Sequence, residues 1–147
     1  MTDAAWDLCL LYDLRRHEIA AVASRLSDAL EEDLRVNADM FDITCTTFSK
    51  NRHPNATMRA LEADLAKADL TLLHLLISLY DIGMELTQGL GDFPDKVTFA
   101  EAAARRYEAL CRGTLDAPIL AHLLTEIKAE HALKRLLAAM QMMDLSA

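Results

Sequence analysis

The sequence is poor in the residues that end a regular element. Its 147 residues include four glycines and three prolines. These two types interrupt helices and strands most readily, so turns are few and the elements between them must be long. Aromatic residues are also scarce, at 5% of the chain, which leaves aliphatic side chains to build the core. Cysteine occurs three times, as Cys9, Cys45 and Cys111, with no C-x-x-C spacing and no C-x-x-C-H haem attachment site. An odd, widely spaced set argues against a disulfide framework, a zinc knuckle or a thioredoxin-type site. Unpaired thiols fit a reducing compartment. No basic segment followed by an apolar run opens the chain, so no signal peptide is evident and a cytoplasmic location is expected.

Long apolar runs are missing as well. The longest uncharged run in the most apolar region is Leu70–Tyr80, far short of the ~20 residues that cross a bilayer. Catalytic signatures are absent too. There is no H-E-x-x-H, no phosphate-cradling glycine loop and no G-x-S-x-G. No acidic residue precedes a histidine by three positions, as the di-metal sites of helical bundles require. Asp13/His17 and His122/Glu126 are i,i+4 pairs that read as surface ion pairs. Nothing in the sequence positions a cysteine beside a histidine. These absences lead us to expect no reaction, no metal and no cofactor.

Apolar residues, by contrast, make up 52% of the chain, with alanine and leucine dominant. Long Gly- and Pro-free segments rich in Ala, Leu, Glu and Arg are helices. The pattern predicts an all-α single domain over residues 1–147, an antiparallel four- or five-helix bundle. A long first helix runs from Asp3 to about Arg35, broken at Asn37 before a shorter helix over Ala38–Phe48. A turn at 50–55 leads to a second helix over Ala56–Gln88, closed by Gly89. After a loop at 89–97, Thr98 and Glu101 form a capping box for a third helix ending at Arg112–Gly113. Asp116 and Pro118 open a last helix that continues to about Met143.

The net charge of −8 argues against nucleic acid and anionic membranes as partners. It is unevenly spread. Residues 1–50 carry ten acids against five bases, and residues 97–147 carry six of each. The excess peaks at Asp28, Glu31, Glu32, Asp33, Asp39 and Asp42, which read as a solvated helix face or a dock for a basic partner.

At 100° per residue, Asp64, Lys67, Thr71, His74, Ser78, Asp81 and Glu85 fall on one narrow strip of the second helix. That strip reads as its wet face, with the rest of the helix central and widely buried. Asp69 points the other way, among leucines. Arg15 likewise lies in the apolar stripe of the first helix with Glu18 on its margin, and His131 in that of the last helix. An unpaired buried charge costs several kcal/mol, so each of these needs a partner or an escape to water. Separate structural explanations are expected. The alternative is a shared polar pocket of Arg15, Glu18, Asp69 and His131 that binds a small ligand or metal.

Two segments are apolar on more than one side. One contains Trp6, Leu10 and Leu14, and the other contains Met140 and Met143 near the C-terminus. A small bundle cannot hide that many faces alone, and aromatic residues often anchor interfaces. The sequence therefore suggests a non-catalytic protein that acts by binding protein, as an adaptor, regulator or chaperone-like module, and self-associates as a homodimer.

Overall fold

The computed structural model describes residues 1–43, 56–88, 95–113, 123 and 132–144, with side chains at 33–43, 56–58, 87–88 and 132 left aside. Among the described residues there are six helices and no strand. They are α1 (Asp3–Leu14), α2 (Arg16–Ile43), α3 (Ala56–Lys67), α4 (Leu70–Gln88), α5 (Lys96–Arg112) and α6 (Ala132–Met143). The all-helical class read from composition and periodicity is the class of the structure.

Both long helices of the sequence reading are divided. The first breaks at Arg15, whose φ of −100° and ψ of 10° leave the helical region, and α2 then continues unbroken through Asn37 to Ile43. The second breaks at Ala68–Asp69. There Asp69 accepts a hydrogen bond from the Leu72 N–H at 2.9 Å, and its own carbonyl takes the Leu73 N–H. This is the geometry of an N-cap, so Asp69 starts α4 rather than intruding into a core. The third helix also starts earlier than expected. Asp95 is the N-cap of α5, accepting from the Thr98 N–H at 2.7 Å, so Thr98 lies inside the first turn. The helix ends at Arg112–Gly113 as the sequence suggests.

Helix α4 is the most enclosed element. Every residue from Leu72 to Tyr80 is buried. It packs most extensively on α6 and also on α5, while α1 packs on α5 and α2 on α3. The approach to α6 depends on Gly83. A Cβ at that position would lie 2.9 Å from the Arg135 Cα and closer still to its carbonyl group. Only a residue without a side chain permits two backbones so near. The end of α6 is tied down from three sides. Tyr12 donates to the Met140 carbonyl at 3.4 Å, Arg16 pairs with Asp144 at 3.3 Å, and Lys96 donates to the Asp144 carbonyl at 2.5 Å.

The expected wet strip of the second helix is not wet along α4. His74 and Ser78 are buried, and Asp81 and Glu85 are half-buried. The strip faces α5, which offers polar partners: Arg106 pairs with Glu85 and stands 3.9 Å from Asp81. Periodicity separates polar from apolar faces but does not tell a polar seam between helices from a face in water. Among the described residues no helix is long and apolar enough to cross a membrane.

Candidate functional site

Two of the charges that looked misplaced in the sequence meet where the two helices break. Arg15 closes α1 and Asp69 opens α4. The Arg15 guanidinium donates from Nη1 and Nη2 to the two Asp69 carboxylate oxygens at 3.1 and 2.7 Å. From Nε and Nη2 it donates to both Glu18 oxygens at 2.6 and 2.7 Å. Paired forks of this kind are the strong form of the arginine–carboxylate contact. The arginine side chain is 14% exposed, but the Glu18 and Asp69 side chains are 52% and 58% exposed. The cluster therefore lies at the rim of the fold, not in an enclosed pocket, and solvent screens most of its strength. Arg15 and the capping Leu72 N–H together hold the Asp69 carboxyl below the usual carboxylate range. Glu18 first, then Asp69, stabilises the Arg15 cation. His131, the other member of the expected pocket, lies outside the described residues, as do Cys45, His122, Glu126, Gly89, the turn at 50–55 and the Asp116–Pro118 start.

A second constellation lies nearby, and no spacing rule in the sequence points to it. Cys111, in the last turn of α5, places its Sγ 3.3 Å from Nδ1 of buried His74 in α4. Residues 37 positions apart in sequence are joined only because α4 and α5 pack along the polar seam. Tyr107, one turn before Cys111, meets the His74 ring edge-on, with centroids 6.2 Å apart and planes at 81°. The Ser78 hydroxyl donates to the His74 carbonyl at 2.8 Å. Burial, and then its hydrogen bond with Cys111, push the Tyr107 hydroxyl up to about 12. The charges of Arg15 and Asp69 also reach Tyr107, so the two constellations adjoin. Cys111 itself is exposed. Cys9, by contrast, is half-buried, and burial pushes its thiol up.

The third feature is a ridge on α1. Its inner side, Ala5, Leu8 and Tyr12, is buried in the core. Its outer side presents Trp6, Leu10 and Leu14, which are 54%, 67% and 78% exposed. The other expected interface segment differs. Met143 is buried against the chain's own core and Met140 is half-buried, because α6 turns that face inward onto α4; Leu137 is exposed instead. Among the described residues no group of three His, Cys, Asp or Glu side chains is arranged to hold a metal ion. Compared with protein-family models, with curated proteins and with solved structures, the chain finds no match.

Proposed function

We propose that this protein works by binding protein through the outer face of α1, and that the occupant of that face is a second copy of the chain. The observation that carries this reading is the ridge of Trp6, Leu10 and Leu14, spaced i, i+4, i+8 and open to water on a helix whose other side is already core. A helix apolar on both sides suits an interior rather than a surface. Covering a leucine fully contributes about 1.5–3 kcal/mol, and two copies would cover four leucines and two tryptophans of the ridge.

The ridge is suited to pairing with itself. Two α1 helices laid antiparallel put Leu10 on the two-fold axis, with Trp6 of one copy against Leu14 of the other, as an isologous contact requires. Asp3 and Asp7 lie near one end of the ridge, and Asp13 and Arg16 lie at the other, where Arg16 is already paired with Asp144. The apolar side chains rather than charge therefore carry the pairing. Within each copy we read the helices as an antiparallel bundle. Such a dimer would serve as an adaptor, regulator or chaperone-like module.

The ligand-pocket alternative draws less support, because two carboxylates of the chain already hold the Arg15 guanidinium. Size-exclusion chromatography with light scattering tests the dimer. The native chain should run at twice its 16.4 kDa mass, and Leu10→Lys should run at that mass. A native chain that stays monomeric at high micromolar concentration would remove the reading.

A further inference from the structure

We propose that Cys111 is a modification site: an accessible thiol that His74 and Tyr107 prepare for oxidation by a hydroperoxide to the sulfenic acid. This does not rest on the dimer. The thiol is exposed while its partner is enclosed, with His74 4% exposed and its Nδ1 3.3 Å from Sγ. The imidazole is held against the Tyr107 ring, so it cannot swing away to water. Tyr107 brings a second proton-bearing group to the sulfur.

The reaction these groups permit is a two-electron displacement. Sγ attacks one oxygen of the peroxide, the S–O bond forms and the O–O bond breaks. The thiol proton passes to His74 Nδ1 and from there to the departing oxygen, which leaves as water from hydrogen peroxide or as the alcohol from an organic hydroperoxide. Sulfur is oxidised to Cys–SOH and the peroxide is reduced.

Position in the helix works against this chemistry. Cys111 sits at the carbonyl end of α5, where the helix dipole disfavours negative charge on sulfur. The surrounding charges nearly balance: Glu108 and Arg112 on α5 stand 3.9 Å apart, and Arg15 with Asp69 reach the site through Tyr107. Exposure alone therefore does not make this thiol fast. The reactivity has to come from His74 and Tyr107, which makes the proposal testable.

The full chain is treated with hydrogen peroxide and dimedone, and adduct formation is followed by mass spectrometry on the Cys111 peptide. Folded Cys111 should react at least about tenfold faster than the same cysteine in the urea-unfolded chain, a threshold set below the roughly 10²–10⁴-fold that a positioned acid–base group contributes. His74→Asn keeps an acceptor atom but no basic nitrogen, and should bring the rate down to the unfolded value. Tyr107→Phe keeps the ring and should slow the reaction. Should His74→Asn fail to fold, the folded-to-unfolded ratio and Tyr107→Phe still decide. A folded Cys111 that reacts no faster than the unfolded one, or a native rate retained by Tyr107→Phe and by folded His74→Asn, overturns the proposal. In the folded chain, half-buried Cys9 should remain unlabelled.

Discussion

Replacing Gly83 by alanine sets two effects of opposite sign against each other. Helix propensity favours alanine by about 1 kcal/mol. The added methyl, however, would overlap the Arg135 backbone of α6, and backbone cannot rotate aside as a side chain can. Overpacking a core costs about 1–3 kcal/mol, and here α4 and α6 would have to move apart as whole helices. Gly83→Ala should therefore lower the urea midpoint, with a net loss of stability of up to about 2 kcal/mol and toward that end because whole helices must move. An unchanged or raised midpoint would mean that the helices do not approach as described. Asp69 offers a contrasting case. A misplaced core carboxylate would gain from replacement by leucine, but a cap would not. Asp69→Leu should lose about 1 kcal/mol as the cap is removed, with a small addition from the screened Arg15 pair. Asp69→Asn keeps an acceptor for the Leu72 N–H and loses only the charge. Because the folded state lowers the Asp69 pKa, its charge-dependent stability is present above the ordinary carboxyl pKa and is lost as pH falls through the lowered value. The stability difference between native chain and Asp69→Asn should thus be present at pH 7 and shrink below about pH 4. A difference that persists at pH 2 would assign the effect to something other than ionisation.

Helix boundaries show what the sequence could and could not disclose. Composition and the scarcity of Gly and Pro made the helical class legible, and Arg112–Gly113 was readable as a stop. The start of α5 was not, because Asp95-x-x-Thr98 and Thr98-x-x-Glu101 are both plausible caps and only the fold shows which carbonyls and N–H groups are free. Asp95→Ala should accordingly lower the thermal midpoint more than Thr98→Ala; the reverse order would restore the later start. The break at Asp69 carried a usable signal, an aspartate directly before an apolar run, that the continuous periodicity across residues 64–71 concealed. The break at Arg15 carried none, since Leu-Arg-Arg-His is good helix-forming sequence and the interruption coincides with the tertiary contact of Arg15 to Asp69, alongside its local pair with Glu18. The meeting of Arg15 with Asp69 could be suspected, because both looked out of place. The meeting of His74 with Cys111 could not. It depends on which neighbour covers the polar strip of α4, and a single-helix wheel contains no information about neighbours.

For the molecule as a whole, the proposed dimer has to form against its own charge. Each copy carries a net −8, so two copies repel at long range. Charges at the rim of the ridge, such as Asp3, Asp7 and Asp13, are exposed, and exposed pairs contribute about 0–1 kcal/mol. Apolar contact at Trp6, Leu10 and Leu14 must therefore supply the attraction, with net charge as its main opponent. Salt shortens the reach of that repulsion, from a Debye length of about 30 Å at 0.01 M to about 8 Å at 0.15 M, and leaves the apolar contact in place. Association should therefore tighten as salt is added, the opposite of what rim ion pairs would produce. The chain contains a single tryptophan, and Trp6 is half-exposed on the proposed interface, so its emission reports directly on that surface. On dilution through the dissociation constant, Trp6 emission should move to longer wavelength, and added sodium chloride should shift the transition to lower protein concentration. Leu10→Lys should show the long-wavelength emission at every concentration. A Trp6 spectrum that ignores both concentration and salt would mean that the ridge stays in water and that the partner covering it is not this chain.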